Sequence, residues 1–372
     1  HIVQGAPLNA ASGPAAAVAD STFLRRTDEL RQTETALLAL TLLQKLAEPR
    51  EDLLEKLEAF FELHGNRLLL QSTQPLVQAH FVFFFSAYRG SLFCKDPFKA
   101  TTFRESMLGW LIGQIRGENA LSYAALHALK PVLGQKQSQS FFATHSPKVM
   151  EGIVQVLPAN RTLSYLHFVK KFLSRQIAAA LRSPEQLRSI CEIVLAKLVG
   201  ELHISPQLSE SIAGECWAIL LKLISSPALC ALLGPLVEAR LADLLPLAAQ
   251  RNFVWEESLL DCYTRLATHC EQPPQSILRV INLLLEAQRQ DPYRVLPLQL
   301  FSALFERHSV LFDEAASLRV AELAETALGS QAEQGGAENS AASATALLVL
   351  ELISKARPAE QEEHRPPLRA DA

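Results

Sequence analysis

The sequence predicts an all-α protein, an α-solenoid of paired antiparallel helices with about 38 residues per pair, and three observations carry that prediction. Ser or Asp followed by Pro recurs at Asp96-Pro97, Ser146-Pro147, Ser183-Pro184, Ser205-Pro206, Ser226-Pro227 and Asp291-Pro292. The side-chain oxygen of such a pair can accept a bond from an orphan N–H of a first helical turn, and proline at the first helical position gives up no hydrogen bond. Between these signals apolar residues return at spacings of three and four, as in Ile190, Ile193, Val194, Leu198 and in Ile277, Val280, Ile281, Leu284, with no sustained two-residue alternation. From residue 184 the inferred helix starts fall near 184, 206, 227, 255, 275, 293 and 313, mostly about twenty residues apart. Two such helices make one unit of the kind that cannot bury its apolar face alone and stacks on its neighbours.

Taken in order, residues 1–20 are rich in Ala, Gly and Pro, hold no acid before Asp20, and are expected to form a flexible N-terminal segment. The remainder of an organelle-targeting region would have the same composition. Residues 21–330 are read as the helical array, with a basic half at 80–182 and an acidic half at 183–330. Phe81, Phe83, Phe84, Phe85, Phe93, Phe98 and Phe103 are too many for a binding surface, so most are expected in the core. At an offset of 38, Leu260 aligns with Leu298, Tyr263 with Phe301 and Leu266 with Leu304, and the aligned leucines are expected at equivalent buried sites. A non-repetitive helical bundle is the alternative to the array. Gln331 to Ser343 is poor in bulky apolar residues and reads as a linker, 344–356 as a terminal helix, and 357–372, with Pro358, Pro366 and Pro367, as a disordered tail.

The phrase Ser205-Pro206-Gln207-Leu208, followed by Ile212, Ala213 and Trp217-Ala218-Ile219-Leu220-Leu221-Lys222-Leu223, resembles the repeat of the octotricopeptide and FAST-kinase-like helical proteins of organelles. The resemblance covers one repeat well and a longer stretch loosely, and it transfers no nucleotide-reading positions. It implies RNA processing, RNA stability or ribosome assembly in mitochondria or plastids, hence a mitochondrial matrix location. HEAT-like scaffolds produce paired amphipathic helices near the same period, and a cytoplasmic or nuclear location goes with that alternative.

Charge supplies the functional clue. Residues 80–182 carry thirteen Lys and Arg against four Asp and Glu, a net of +9 in a chain whose total is −4. Charge segregated along a chain points to a surface that meets a polyanion or an acidic partner. The stretch Arg161 to Arg182 has five positive side chains and no acid. On a helix, Arg161, Lys171, Arg175 and Arg182 fall within an arc of about 80°, beside a core stripe of Leu166, Val169, Leu173, Ile177 and Leu181. Phe168 and Phe172 are expected to project beside this ridge, where rings and guanidinium groups together suit single-stranded nucleic acid. Lys148, Lys99 and Arg104 are expected to extend the basic face. The bland reading is a solvated helix face whose cations pair with acidic neighbouring repeats.

No other pattern states a chemistry. The six cysteines show no C-x-x-C, and five sit in apolar helical patterns where a free thiol acts as a small hydrophobe, which suits a reducing compartment. No two histidines stand at a metal-binding i, i+4 spacing, and His80, His127, His167 and His269 read as half-buried histidines rather than ligands. No G-x-S-x-G, G-x-x-x-x-G-K-[ST] or G-x-G-x-x-G occurs. The best candidate for a membrane span, Ile212 to Ser225, is broken by Glu215 and Lys222. The expectation is therefore a non-catalytic subunit of a large organellar ribonucleoprotein, such as a mitochondrial ribosome or an RNA-processing assembly, with no cofactor and no small-molecule ligand. It would touch ribosomal or messenger RNA through its basic half and other subunits through the rest. The competing expectation, favoured by the mildly acidic total, is a protein-only α-helical scaffold or accessory subunit of a respiratory or trafficking complex.

Overall fold

A computed structural model describes residues 31–66, 74–88, 91–92, 96–116, 119–159, 162–207, 210–250, 253–290, 298–332 and 339–356, and among them the regular structure is helical throughout, with no strand. The N-terminal segment 1–20, Asp291-Pro292, Cys94, Arg161 and the tail from Arg357 lie outside the described residues. The chain divides between Phe141 and Phe142 into two compact units.

Unit 1 comprises α1 (31–42), α2 (Gln44–Ala47), α3 (Glu51–Asn66), α4 (Pro75–Tyr88), α5 (Pro97–Gln114) and α6 (Ala120–Val132). Helix α4 is apolar on nearly every face, so it can only be a buried helix, and Val77, Phe81, Val82, Phe84, Phe85 and Tyr88 are all within the core. It lies against α6, on which α5 also packs. The phenylalanines form one cluster in which Phe61 stacks on Phe84 at 4.8 Å and meets Phe81, Phe85 and Phe103 edge-on. Phe98 departs from the core expectation, 81% exposed on the first turn of α5, and Phe93 lies outside the described residues. That turn is capped as its sequence predicts. Asp96 accepts from the N–H groups of Phe98 and Lys99, both at 3.1 Å, and Pro97 opens the helix.

Unit 2 takes α7 (Gln139–Val156) from Phe142 onward, then α8 (Leu163–Ala180), α9 (Pro184–Ile204), α10 (Glu210–Leu223), α11 (Pro227–Leu241), α12 (Leu245–Ala248), α13 (Glu256–His269), α14 (Ile277–Gln290), α15 (Leu298–His308), α16 (Glu314–Ala332) and α17 (Asn339–Ala356). Helix α10 packs against α8 and α9, α11 against α9, α13 against α10 and α11, α15 against α13, and α17 against α15 and α16.

Two Ser-Pro signals do not start helices. Pro147 lies inside α7. The buried stripe of Phe142, Val149, Met150 and Ile153 runs through it, and burying those side chains at about 1.5–3 kcal/mol each outweighs the roughly 3 kcal/mol cost of an interior proline. Ser205 closes α9 rather than opening α10, its N–H bonding to the Glu201 carbonyl, because Leu198 and Leu202 carry the buried face of α9 to its end. At the 38-residue offset, Tyr263 with Phe301 and Leu266 with Leu304 are buried pairs, whereas Leu260 is half-exposed where Leu298 is buried. Helix also enters both ends of the stretch expected to be a linker, since α16 runs through Gln331 and Ala332 and α17 begins at Asn339.

Candidate functional site

The basic ridge centres on α8. Its buried residues are Tyr165, Leu166, Phe168, Val169, Phe172, Leu173, Gln176 and Ala180. This arc is wider than the stripe expected from leucine and valine alone, and it swings toward the cations far enough to take in both rings. Phe168 and Phe172 are fully buried, stacked with centroids 6.3 Å apart, so neither can offer a face to a nucleotide. Ile177 and Leu181, placed in the stripe by periodicity, are only half-buried.

The cations separate into two groups. Lys170 turns to α10, where its Nζ lies 2.6 Å from the Glu215 carboxylate, and His167 Nε2 stands 3.0 Å from the same group. Glu215 retains only 15% of its side-chain exposure, so the pair is an internal crosslink between neighbouring helices rather than a surface contact. Arg175 on α8, Arg182 just beyond it and Lys148 on α7 remain exposed, and Lys171, one turn before Arg175, is half-buried. Among the described residues no ion pair engages Lys148, Arg175 or Arg182. Lys99 and Arg104 belong to unit 1. Lys99 is held at 2.6 Å by Glu62, whose hydrogen bond and charge raise the ammonium pKa, and Arg104 is half-buried on α5. What remains exposed for a partner is Lys148 on α7, Arg175 on α8 and Arg182 beyond it, cations that can meet carboxylates or phosphates without Phe168 or Phe172 to stack on a base.

Sequence reasoning missed two other sites. In unit 1, Leu38, Glu48, His80, Phe83, Ser86 and His127 line a cavity of about 710 Å³, a size that would hold a small molecule. Hydrogen bonds from Gln44 and Ser91 at 2.9 and 2.7 Å hold the Glu48 carboxyl below its ordinary pKa, and His127 sits edge-on to Phe83. In unit 2, Cys191, Cys216, Cys230 and Cys262 are buried helical cysteines as expected, and desolvation pushes the Cys191 and Cys216 thiols up to about 12. Cys270 departs from that pattern, since it ends α13 and is half-exposed. Only the spacing of Cys230 and Cys270 across one helix pair could have hinted that they meet.

Among the described residues no group of three or more His, Cys, Asp or Glu side chains is arranged to hold a metal, and no helix is long and apolar enough to cross a membrane. No family model matches the chain, and no curated protein matches its sequence.

Proposed function

We propose that the chain is a helical-repeat scaffold, an α-solenoid of paired antiparallel helices serving as a subunit of a multiprotein assembly. The observation that carries this reading is the ladder formed by every second long helix of unit 2, in which α8, α10, α13, α15 and α17 pack in succession. Their first residues, Leu163, Glu210, Glu256, Leu298 and Asn339, are 41 to 47 residues apart. That interval is nearer the roughly 40–47 residues of HEAT-like repeats than the 38 read from the sequence. Polar crosslinks step along the chain by the same interval. Lys170 reaches Glu215, 45 residues on, Arg265 donates to the Leu221 carbonyl, 44 residues back, and His308 meets the Ala267 carbonyl, 41 residues back. A stack of this kind offers extended binding surfaces, which suits assembly with other proteins.

The ribonucleoprotein expectation is weakened because the two rings meant for base stacking are core residues and because Lys170 and Lys99 are matched within the chain. The exposed Lys148, Arg175 and Arg182 still favour RNA as a second reading, through phosphate contacts alone. Isolation of the tagged chain from cells, with and without nuclease, separates the two. A scaffold keeps its partner proteins after nuclease treatment; loss of all partners together with ribosomal RNA would establish the ribonucleoprotein reading instead.

A further inference from the structure

We propose that Cys230 and Cys270 form a redox-active dithiol that closes to a disulfide between α11 and the end of α13 by exchange with a low-molecular-weight disulfide. The two helices pack directly on each other. Cys270 ends α13 with extended backbone, its N–H bonding to the Leu266 carbonyl, and its Sγ is pressed onto α11 where Gly234 leaves room. A Cβ at that glycine would stand 3.2 Å from the sulfur. Cys230 lies one turn before Gly234 on the same face of α11 and is buried there, so that the Cys270 sulfur over Gly234 has the Cys230 thiol as its neighbour on that helix. The Cys230 thiol donates to the Ile224 carbonyl 3.3 Å away. Glu238 and Arg307 face Cys270, and Arg265 and Cys262 face Cys230.

Exposure fixes the order of events. Cys230 is fully buried and Cys270 half-exposed, so an incoming disulfide meets Cys270 first. The neighbouring Cys230 thiol and the Arg307 charge favour the Cys270 thiolate against desolvation and Glu238 and lower its pKa, and the thiolate is the attacking species in exchange. Cys270 attacks one sulfur of the small disulfide; that S–S bond breaks, a mixed disulfide forms, and the first small thiol leaves with the electron pair and takes up a proton. Cys230 then gives up its proton and attacks the Cys270 sulfur, breaking the mixed bond and releasing the second small thiol. Two protein thiols are oxidised to one disulfide and one small disulfide is reduced to two thiols. The bond would tie α11 to the end of α13, the ladder helix it packs on.

The test uses the full chain with Cys94 replaced by Ser, treated with oxidised glutathione, then with N-ethylmaleimide, and analysed by intact mass and non-reducing peptide mapping. The expected product has lost the mass of two hydrogens, carries a Cys230–Cys270 crosslinked peptide, and returns to two alkylatable thiols with dithiothreitol. Cys230→Ser should stop at a glutathione adduct on Cys270, and Cys270→Ser should give neither product. A parent protein that accumulates the Cys270 adduct without an internal bond, or that joins other cysteines, overturns the proposal whether or not the variants fold.

Discussion

Replacing Phe172 by Ala distinguishes a core ring from a binding ring. The side chain is fully buried and stacked on Phe168, which is fully buried too. Truncation removes the ring's transfer energy and leaves a cavity between α8 and its neighbours, about 3–5 kcal/mol for Phe→Ala, of which the lost ring pair accounts for about 0.5–1.5 kcal/mol. Against a typical domain stability of about 5–15 kcal/mol this is a large fraction. For a unit of the size of residues 142–372, it corresponds to a fall in Tm of roughly 6 to 20 °C. Urea titration followed by circular dichroism gives the free energy, and affinity for a partner protein or RNA is then measured at a temperature where the variant is still folded. Phe168→Ala should behave alike, and the double variant should lose less than the sum because the rings share one contact. A Phe172→Ala protein as stable as its parent but defective in binding would show that the ring serves the surface, and the placement of α8 would be wrong.

Leu266→Ala should destabilise by about 2–5 kcal/mol, whereas Leu260→Ala, at a half-exposed site, should cost under about 1.5 kcal/mol; equal losses in denaturant titrations would argue against the observed register of α13. Glu215→Ala leaves Lys170 and His167 without their shared acceptor and should cost about 1–3 kcal/mol, while Arg175→Ala at an exposed site should change stability by less than about 0.5 kcal/mol; the reverse ranking would refute the division of the cations. Because its surroundings lower the Cys270 pKa, its alkylation by iodoacetamide should rise at lower pH than that of an ordinary thiol as the thiolate forms. Cys230→Ala removes the neighbouring thiol that favours the thiolate and should move the rise to higher pH; an unmoved profile would mean that the two thiols do not interact.

The helical class was legible because the three-and-four spacing of apolar residues dictates it, and the caps at Asp96, Ser226 and the starts near 184, 256 and 314 follow from local chemistry that needs no tertiary context. The Ser-Pro pairs at 146 and 205 misled for a tertiary reason. The flanking apolar stripes, Phe142 to Ile153 and Leu198 to Leu202, bury enough to carry a helix through or up to the signal. The candidate site was half legible. Arg175 and Arg182 are exposed as their position on the helix implies, but α8 contacts neighbours over a broader arc than a one-sided amphipathic helix does, so Phe168 and Phe172 were drawn inward. Lys170 and Lys99 could not be sorted from the other cations by spacing on one helix, because Glu215 and Glu62 lie 45 and 37 residues away along the chain.

The measurement that bears most directly on the scaffold reading is the affinity of the purified chain for single-stranded RNA across a range of salt concentrations, compared with a variant carrying Lys148→Glu, Arg175→Glu and Arg182→Glu. Without stacking rings the parent should bind RNA only at the non-specific level of about 10⁻⁴–10⁻⁶ M at physiological salt. The folded variant should meanwhile lose the nuclease-resistant protein partner. Nanomolar RNA binding by the parent, abolished in the variant with a shallower salt slope, would contradict the account.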